Sequence, residues 1–521
     1  MEILYEFQRN DMKRNSSGPE RGKDLFDLDL KHGYLFFRRT KIVATIGPAS
    51  SSSEKIRELI LKGLNVARIN FSHGEPDEHL RTIRSIRKIS RELNKPVAII
   101  GDLCGPKIRV GKFVGGEALL KENSIVTITG RQTPGTATLI PCSYARLKTE
   151  VSPNDRILFD DGNLELKALG KLKDGIQAKV IRGGMIRDHK GMNLPNTKMH
   201  ISALTSKDRK DVLYCIRGQV DFIALSFVRK AADVLELKNL LLRRNSPLPV
   251  IAKIEKPEAL HNIHEIIAAS DGVMIARGDL GVELPAQKVP FIQGKLIESC
   301  IRSRKPVIVA TQMLESMMEH ARPTRAEVTD VSSACLSGAD AVMLSGETAV
   351  GKYPVEAVEM MDSILREAEA YSFFSGGGLF RDTLHRQNDR LNERLNDQIA
   401  DNHIQDSVGF AIAQLSGDLP ARCIIAATHT GCTASVISSD RPAAPIIALT
   451  FSARVLRRLQ LYWGVYPYII SSRLNTDKRI AFAASLMKGL KLAHSGDFMV
   501  MVRGIGQKKT VTQSITIHEV E

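Results

Sequence analysis

From Thr40 onward, short runs of apolar and β-branched residues alternate with stretches in which apolar positions recur at helical spacing. This alternation is typical of successive strand–helix units, which build a parallel sheet. Three hydroxyl residues that shortly precede acidic residues predict helix N-caps, namely Ser53, Thr205 and Thr324. The predicted strands are Lys41–Ile46, Val66–Asn70, Val97–Leu103, Phe222–Ser226, Val250–Ile254, Gly272–Ala276, Val307–Ala310 and Ala341–Leu344.

Eight strand–helix units predict an α/β protein with a TIM (β/α)8 barrel, whose active site lies at the carboxyl ends of the strands. A capping or solvated loop position explains any single polar residue there. It does not easily explain why seven consecutive strands each end in a polar group, so we predict one clustered site. The polar residues at these ends are Arg68, Asn70, Asp102, Ser226, Lys253, Glu255, Asp279, Thr311, Ser345 and Glu347.

Residues 109–204 interrupt this rhythm because they have no helical period. Short alternating runs such as Ile125–Thr129 and Gln177–Ile181 predict a small inserted β-barrel domain, tethered at both ends and able to move as a lid. The barrel domain is then expected to comprise residues 38–108 and 205–372, with a last helix at Tyr353–Tyr371. Residues 1–37 are expected to form an extension outside the core.

Residues 373–521 predict a separate C-terminal α/β domain that follows a linker at Gly376–Gly378. Its predicted helices are Asp382–Asp401, Ile404–Leu415 and Thr476–Leu492, and its predicted strands are Cys423–Ala427, Ile446–Leu449 and Phe498–Val502.

The composition narrows the class of protein. The chain has 521 residues and no apolar run that approaches the roughly 18 residues of a transmembrane helix. The amino terminus lacks a signal-peptide pattern, and the seven cysteines include no CxxC pair. We therefore expect a cytoplasmic protein with no membrane association and no zinc site. The net charge is +15, but the basic residues are interspersed with acidic ones, so no nucleic-acid partner is expected.

Lys253 and Glu255 occupy alternate positions of one predicted strand, so their side chains point the same way. Asp279 follows the next strand, and the two carboxylates can chelate one cation from neighbouring strands. No His or Cys lies nearby, which favours Mg²⁺ over zinc. A magnesium ion beside a fixed ammonium is the set that phosphoryl transfer requires. The alternative is a buried Lys253–Glu255 ion pair that only stabilises the barrel.

Other strand ends offer groups for anions and cations. The turn at Ala276–Gly281 has glycines and backbone amides that suit a carboxylate or phosphate. Arg68 can bind phosphate bidentately, while Asn70 and Ser72 offer neutral oxygens to a cation. Thr311 can donate a hydrogen bond to a carboxylate.

Two further motifs are weaker. A loop hydrogen bond explains His73 at least as well as a catalytic role does. The segment Gly346–Tyr353 nearly matches a P-loop, but Tyr353 stands where the Mg²⁺-binding hydroxyl is needed.

Seven segments together identify a family. IAKIEKPEAL, IARGDLGVELP, ARINFSHG, GDLCGPKIRVG, ATQMLESM, RPTRAEVTDV and DAVMLSGETAVGKYPVEAV closely resemble motifs of pyruvate kinase, in the expected order. The resemblance implies phosphoryl transfer from phosphoenolpyruvate to ADP, which yields pyruvate and ATP in the last step of glycolysis. It also implies Mg²⁺ as cofactor, with Mn²⁺ as a substitute, a regulatory C-terminal domain and, usually, a homotetramer.

The resemblance implies a role for each matching residue. Lys253 would stabilise the phosphoryl group in flight, Arg68 would lie near the transferred phosphate, and Thr311 would complete the catalytic set. The implied Mg²⁺ ligands are Glu255 and Asp279. The implied cradle of the substrate's carboxylate and enol comprises Ala276, Arg277, Gly278, Asp279 and Thr311. The positions associated with the nucleotide are Asn70, His73, Arg109 and Lys207.

One departure from the family pattern concerns potassium. Potassium-activated members read Asp-Thr-Lys-Gly-Pro-Glu where residues 102–107 read Asp-Leu-Cys-Gly-Pro-Lys, so Leu103 and Lys107 replace a threonine and a glutamate. The ammonium of Lys107 can take the place and supply the charge of the monovalent ion. We therefore expect a bacterial-type enzyme that does not require K⁺, in which Asn70, Ser72 and Asp102 are remnants of the ion pocket.

The segment Thr428–Thr433 resembles the effector phosphate loop of the family. The lysine and arginine of the sugar-bisphosphate-responsive loop are absent, and His429 and Thr433 stand there instead. Activation by fructose bisphosphate is therefore in doubt, whereas a monophosphate effector such as AMP or ribose 5-phosphate remains open. A helix cap without a ligand is the alternative.

Two other classes of protein fit parts of this pattern. Another enolate enzyme on a metal-dependent barrel, a lyase or an aldolase, would use the same carboxylates, but Lys253 and the inserted domain speak against it. A non-catalytic binding protein or nucleic-acid partner would use the positive charge. The intact set of Lys253, Glu255 and Asp279 speaks against a loss of catalysis.

Overall fold

A computed structural model of the chain describes residues 38–374, 403–503 and 514–521, apart from positions 196, 198, 420, 473 and 491. The predicted extension at residues 1–37, the linker at Gly376–Gly378 and the helix at Asp382–Asp401 lie outside the described residues.

The chain builds a barrel in two parts, with the lid between them. The first part contains β1 (Lys41–Thr45), α1 (Ser53–Leu61), β2 (Val66–Asn70), α2 (Pro76–Glu92) and β3 (Ala98–Asp102). The lid contains β4 (Glu117–Leu120), β5 (Ile125–Thr129), β6 (Leu139–Pro141), α3 (Leu147–Glu150), β7 (Arg156–Phe159), β8 (Leu164–Leu172), β9 (Gly175–Arg182), β10 (Gly184–Arg187) and β11 (Met192–Asn193). The second part contains α4 (Ser206–Arg217), β12 (Phe222–Leu225), α5 (Ala231–Arg243), β13 (Val250–Ile254), α6 (Pro257–His261), α7 (Ile263–Ala269), β14 (Gly272–Ala276), α8 (Arg277–Glu283), α9 (Val289–Arg302), β15 (Val307–Ala310), α10 (Arg325–Leu336), β16 (Ala341–Leu344), α11 (Gly346–Ala349) and α12 (Pro354–Phe374).

The eight predicted barrel strands are all present, and their bounds differ from the prediction by no more than one residue. They pair in parallel in the order β1-β2-β3-β12-β13-β14-β15-β16, and β16 pairs with β1 to close the barrel. One cluster of apolar side chains that includes Phe222 and Met274 is fully buried, and a larger one packs the barrel helices against the strands. Closure brings all carboxyl ends of the strands to one rim, where the predicted site residues lie.

Two of the three predicted helix caps are confirmed. Thr205 and Thr324 are N-caps, and each forms a capping box with the acidic residue three positions later. The cap predicted at Ser53 is wrong, because the hydroxyl of Ser52 accepts the N–H of Lys55 at 3.2 Å and the helix begins at Ser53. Residues 51–53 are all serine, so the sequence alone does not distinguish the capping residue.

In the described residues of the lid, the elements other than strands are the short helix α3 and a 3-10 turn at Val114–Gly116, and the strands form two sheets rather than one closed ring. Six strands pair in the order β11-β7-β8-β9-β5-β6, and β4 pairs with β10 separately. The chain leaves the larger sheet at Gly183–Gly184, where Gly184 has a φ of +146° that a side chain would strain. Both sheets contribute side chains to one buried apolar core, with Leu120 and Ile186 from the smaller sheet.

The described elements of the C-terminal domain are α13 (His403–Asp418), β17 (Cys423–Ala427), α14 (Cys432–Ser439), β18 (Ile446–Thr450), α15 (Ala453–Arg458), β19 (Val465–Ile469), α16 (Thr476–Gly489), β20 (Phe498–Arg503) and β21 (Ser514–Glu519). The strands form a five-stranded sheet of order β19-β18-β17-β20-β21, with β21 antiparallel to β20. Strand β19 was not predicted because Pro467 interrupts the run, and its place at the sheet edge is what permits a proline.

This domain packs against the amino end of the barrel, away from the rim of predicted site residues. Arg441 forms a buried ion pair with Asp340, which precedes β16, at 3.0 Å. The buried ammonium of Lys41, on β1, donates to the carbonyl of Val465 at 2.7 Å.

Candidate active site

A buried ammonium lies at the centre of the rim. The Nζ atom of Lys253 donates to Ser226 Oγ at 2.7 Å and lies 3.0 Å from Glu255 Oε1 and 3.3 Å from Asp102 Oδ1. Burial acts to lower the pKa of Lys253, but the carboxylates of Asp102 and Glu255 raise it above its ordinary value. The lysine is therefore charged at neutral pH and fixed in position.

A second cation, Arg68, is held beside it. Its Nε donates to Asp102 Oδ2 at 2.6 Å, and Nη1 donates to Thr45 Oγ1 at 3.0 Å. Asp102 is fully buried; burial acts to raise its pKa, but Lys253 and Arg68 lower it below its usual range. One carboxylate thus spaces two cations so that both can face the same anion.

Two carboxylates at neighbouring strand ends provide the donors for a hard cation. Glu255 is buried and accepts the N–H of Phe227 at 2.7 Å, while Asp279, at the start of α8, is about one-quarter exposed. Burial raises the pKa of Glu255, and repulsion from Asp279 raises it further, against the attraction of Lys253. A divalent cation between these two carboxylates would relieve that repulsion, so the donor set fits Mg²⁺.

The described residues contain no group of three or more His, Cys, Asp or Glu side chains arranged to hold a metal by themselves. Two carboxylates are nevertheless the usual protein share of a magnesium site, since Mg²⁺ keeps positions for substrate phosphate and water.

The end of β15 stores backbone strain. Thr311 has φ +70° and Gln312 has φ +55°, a region that β-branched residues rarely adopt. The hydroxyl of Thr311 accepts the N–H of Gly278 at 2.7 Å and donates to the carbonyl of Ala310 at 2.6 Å. This arrangement joins the β15 end to the start of α8 and fixes both.

The guanidinium of Arg277 holds the same loop. It donates to the carbonyls of Thr311 and Gln312 at 2.9 and 3.0 Å and to Asp330 at 2.7 Å. The side chain of Arg277 is therefore engaged with protein groups, so only its backbone is placed to contribute to the cradle formed by Ala276, Gly278 and Asp279.

Four positive charges act on His73, which follows β2. Burial lowers the pKa of His73, and the positive charges of Arg109, Lys107, Arg68 and Lys207 lower it further. The imidazole is therefore neutral at physiological pH. Of the predicted nucleotide-side residues, Arg109 and Lys207 act on His73, and the carbonyl of Asn70 accepts the N–H of His73 at 3.5 Å. The combined field of the cations favours an anion such as a diphosphate.

Two of these cations have backbone partners that position them. Arg109 donates to the carbonyl of His189 at 3.0 Å within the lid. Lys207, on α4, donates to the carbonyl of Phe71 and to Asp211, both at 2.6 Å. The lid and the barrel therefore each contribute a positive charge to this side of the rim.

The predicted remnants of the ion pocket lie together at the ends of β2 and β3, and the ion pair of Lys107 is formed with another residue. Asn70 Oδ1 accepts the N–H of Ser72 at 3.1 Å, and Asp102 is taken up by the two cations described above. The Lys107 ammonium lies instead 3.7 Å from Asp279. The charge of Lys107 thus enters the site from the side of the proposed divalent cation.

A contact between the lid and the barrel was not predicted from the sequence. The amide of Asn193, in β11, donates to Glu283 Oε1 at 2.8 Å, and the ammonium of Lys256 donates to the same oxygen. All three side chains are buried, and among the described residues the second oxygen of Glu283 has no hydrogen-bond partner. Lys256 adjoins Glu255 and Glu283 shares α8 with Asp279, so this contact connects the lid to the carboxylates of the site.

A cleft of about 560 Å³ separates the lid from α8 and α9. Lys107, Asp161, Gly278 and Asp279 are among its lining residues. The size is in the range of small-ligand sites.

Glu347, within the segment that nearly matches a P-loop, connects two loops of the barrel. Glu347, in α11, accepts the N–H groups of Leu314 and Ser345 at 3.0 and 2.7 Å. This buried carboxylate fastens the loops after β15 and β16 to each other.

Comparison with known proteins agrees with this geometry. Residues 37–358 match the family model "Pyruvate kinase, barrel domain", and residues 406–518 match "Pyruvate kinase, alpha/beta domain". The chain belongs to the pyruvate kinase family. It is therefore a phosphotransferase of the kind that transfers a phosphoryl group from phosphoenolpyruvate to ADP, and the lyase, aldolase and binding-protein alternatives lose their support.

Individual pyruvate kinases are similar over most of their length. The pyruvate kinase of Geobacillus stearothermophilus is 43% identical over 90% of this chain and 78% of the relative. Pyruvate kinase 2 of Synechocystis is 43% identical over 90% of this chain and 76% of the relative. A crystal structure of a pyruvate kinase from Cryptosporidium parvum matches with a TM-score of 0.85 and 36% identity, over 93% of this chain and 96% of that one.

In the described part of the chain, no helix is both long enough and apolar enough to cross a membrane.

The loop at Thr428–Thr433 lies in the C-terminal domain and leads into α14. Gly431 has a φ of +96°, and its N–H donates to Thr428 Oγ1 at 2.9 Å. His429 stacks on Phe451 with ring centroids 4.7 Å apart.

Proposed function

We propose that Lys253, Arg68 and Thr311 form the catalytic set for phosphoryl transfer between phosphoenolpyruvate and ADP. The observation that carries this proposal is the buried ammonium of Lys253, charged and fixed among Ser226, Asp102 and Glu255. The phosphoryl group spreads negative charge over its oxygens as it moves, and cations that are already in place stabilise that charge without reorganisation.

Glu255 and Asp279 hold the magnesium ion in this proposal, and Mn²⁺ can replace it. When bound, the ion neutralises charge on the substrate and orients its oxygens. The protein groups do the rest. Lys253 and Arg68 bind the phosphoryl oxygens, and the backbone at the start of α8, which the Thr311 hydroxyl holds in place through Gly278, orients the carboxylate and enol oxygen.

The nucleotide binds on the side of the rim near Asn70, His73, Arg109 and Lys207. Its diphosphate is attracted by the same cations that keep His73 neutral. Arg109 belongs to the lid, which joins the barrel at residues 107–109. We propose that closure of the lid about this connection brings the charge of Arg109 to the nucleotide and excludes water from the transfer.

Independence of K⁺ is part of the proposal. Lys107 supplies a permanent positive charge 3.7 Å from Asp279, where the potassium-activated pattern has a glutamate. In this proposal Lys107 replaces the charge of the monovalent ion from the side of Asp279 and does not occupy the pocket of Asn70, Ser72 and Asp102. This combination supports a subgroup, found among bacterial-type enzymes, that works without potassium.

Assembly and regulation are further expectations. We propose a cytoplasmic homotetramer, as the family resemblance implies, and a phosphorylated effector at the Thr428–Thr433 loop. The loop offers hydroxyls and a glycine at the start of a helix but no lysine or arginine of its own, which favours a monophosphate over a bisphosphate.

The deciding experiment measures pyruvate formation from phosphoenolpyruvate and ADP with Mg²⁺, with and without K⁺, at fixed ionic strength. Turnover that does not depend on K⁺ supports both the reaction and the role of Lys107. Turnover only with K⁺ keeps the reaction and overturns the role of Lys107. Absence of turnover in both conditions, with AMP and ribose 5-phosphate supplied, overturns the assignment of the catalytic set.

A further inference from the structure

A second cleft lies at the amino end of the barrel, where the C-terminal domain packs against it, and its volume is about 440 Å³. One wall is the end of α2 and the loop that follows it, with Arg87, Arg91 and Pro96. The facing wall is α15 of the C-terminal domain, with Leu456 and Arg457. A cleft of this size takes a small ligand, and it equally takes a few side chains of a peptide.

The arginines of the two walls carry more positive charge than Asp221, the buried carboxylate between them, can neutralise. Asp221 accepts Arg87 Nη2 at 2.6 Å and Arg457 Nε at 2.8 Å, and Arg91 brings a third positive charge to the lining. Within the residues that the structure describes, Arg91 donates only through Nε, to the carbonyl of Arg87 at 3.2 Å, and Arg457 only through Nε, to Asp221. The terminal N–H groups of Arg91 and Arg457 are therefore available to another carboxylate.

Apolar groups lie beside these arginines. Pro96 lies on the barrel wall, and Ala453 and Leu456 lie on α15. Ala453 is exposed and Leu456 is half-buried, so part of this apolar surface remains open. An occupant that suits the whole cleft therefore carries carboxylates and apolar side chains close together.

One segment of this chain outside the described residues has this composition. Residues 24–30 read Asp-Leu-Phe-Asp-Leu-Asp-Leu, which supplies three carboxylates and four apolar side chains and contains no basic residue. Successive side chains of an extended peptide point to opposite sides, so one side of such a peptide would carry Asp27 and Asp29 and the other would carry Leu28 and Leu30. The segment therefore complements the cleft in charge and in apolar character.

The described chain begins beside both walls. Arg38 Nη2 donates to Asn65 Oδ1 at 2.8 Å, and Asn65 Nδ2 donates to Gln460 Oε1 at 3.4 Å. Gln460 lies three residues after Arg457 of the C-terminal wall. The carbonyl of Asn65 also accepts the N–H of Ala98 at 3.1 Å, and Ala98 directly follows the loop that forms the barrel wall. The side chain and carbonyl of one residue thus connect the start of the described chain to both walls.

The intervening chain is long enough to bring the segment to the cleft. Residues 24–30 precede Arg38 by 8 to 14 positions, and an extended chain of that length spans up to about 26–50 Å. A short tether also keeps a segment at an effective concentration on the order of millimolar, so weak contacts suffice for binding.

We propose that residues 24–30 bind in this cleft of the same chain, with their carboxylates between Arg91 of the barrel and Arg457 of the C-terminal domain. The leucines of the segment then pack against Leu456 and Pro96, and the carboxylates supply the negative charge that the walls lack. The bound segment ties the barrel to the C-terminal domain, because each domain contributes one wall. The occupant belongs to the chain itself, so the cleft requires no phosphorylated ligand.

The test measures amide hydrogen exchange of the full chain by mass spectrometry at fixed ionic strength, with no ligand added. A synthetic peptide of residues 24–30 gives the exchange rate of the free segment. The double variant D27N/D29N removes two carboxylates of the segment. R91Q removes an exposed arginine whose loss breaks one hydrogen bond to the backbone, and R457Q tests the facing wall.

Both sides of the contact have a matched control. D11N removes a carboxylate that lies in residues 1–37 but outside the segment. R454Q removes an exposed arginine of α15 that is not among the lining residues of the cleft.

We expect residues 24–30 of the unaltered chain to exchange at least tenfold more slowly than the free peptide, because docking shields their amides. R91Q, R457Q and D27N/D29N should each raise that exchange about tenfold, since each loses charge-assisted hydrogen bonds, whereas D11N and R454Q should leave it unchanged. D27N/D29N should also raise the exchange of residues 453–458, although it changes no residue of the C-terminal domain.

The proposal is overturned if residues 24–30 of the unaltered chain exchange as fast as the free peptide, or if R91Q and D27N/D29N exchange as their controls do. Unchanged exchange of residues 453–458 in D27N/D29N would place the segment elsewhere and would also overturn it. Protection that disappears on hundredfold dilution would assign the cleft to the segment of a second copy, against binding within one chain. Because no turnover is measured, the outcome is independent of the proposed catalytic set.

Discussion

Replacement of Lys253 by methionine tests the central assignment, because it removes the ammonium and keeps a side chain of similar length. The ammonium lies about 3 Å from each of two buried carboxylates. At that separation and an effective dielectric constant of about 20, each attraction is about 5 kcal/mol. Desolvation and the repulsion from Arg68 offset much of this sum, so we expect a loss of about 3–5 kcal/mol in the free energy of unfolding.

The expected loss of rate is larger. A cation that stabilises a phosphoryl group in transfer is worth about 10³–10⁵-fold in kcat, and Lys253→Met should lose that much in the pyruvate-forming assay. The assay is run at neutral pH. There the raised pKa of Lys253 keeps its stabilising effect complete, since a group with a raised pKa loses that effect only as the pH climbs through the folded-state value. Binding of Mg²⁺ should persist in the variant.

Lys256→Met is the matched control. Lys256 is also a buried ammonium that donates to a carboxylate, but its partner is Glu283 on the side of the lid. Both variants should lose comparable stability, measured by urea unfolding, whereas only Lys253→Met should lose orders of magnitude in kcat. Turnover of Lys253→Met within tenfold of Lys256→Met would show that the charge has been assigned to the wrong lysine.

Three further predictions address the metal, potassium and the lid. Glu255→Gln should raise the Mg²⁺ concentration needed for half-maximal turnover, and an unchanged Mg²⁺ requirement would refute the role of Glu255 as ligand. In the unaltered protein the same concentration should rise as the pH falls, because burial raises the pKa of Glu255. Lys107→Glu should make turnover depend on K⁺ over Na⁺ at fixed ionic strength, and indifference to K⁺ in this variant would contradict the proposal. Asn193→Ala should raise the KM for ADP about tenfold with a smaller change in kcat, since a buried hydrogen bond to a charged group is lost. The second readout is faster proteolysis of residues 109–204. If both the KM and the proteolysis are unchanged, the hydrogen bond between Asn193 and Glu283 does not hold the lid.

Much of the barrel could be predicted because its signals are local. Each strand is a short β-branched run, and each polar group follows its own strand, so parallel closure alone places Arg68, Lys253 and Asp279 on one rim. The same reasoning failed at β19, where Pro467 weakens the strand pattern and only the edge position in the sheet makes the strand tolerable.

Contacts between segments that are distant in the sequence could not be predicted, because no local sequence pattern indicates them. Asn193 and Glu283 are 90 residues apart, and Lys256 and Glu283 are 27 apart. Each looks like a solvated polar residue in its own segment, and burial becomes evident only when the lid is seated on α8. The contact between Lys107 and Asp279 could not be predicted for the same reason. The charge of Lys107 could be predicted from the motif, but its position beside Asp279 depends on how the lid hinge leaves β3.

The charges of the rim explain why metal and substrate are expected to bind together. Arg68 and Lys253 balance Asp102 and Glu255, and Lys107 lies against Asp279, so these six side chains sum to no net charge. A divalent cation alone would add positive charge to a buried, balanced set, and a substrate with a carboxylate and a phosphate alone would add negative charge. Each ligand therefore lowers the electrostatic cost of the other. By linkage, the affinity for Mg²⁺ should rise in the presence of phosphoenolpyruvate by the same factor as the affinity for phosphoenolpyruvate rises with Mg²⁺.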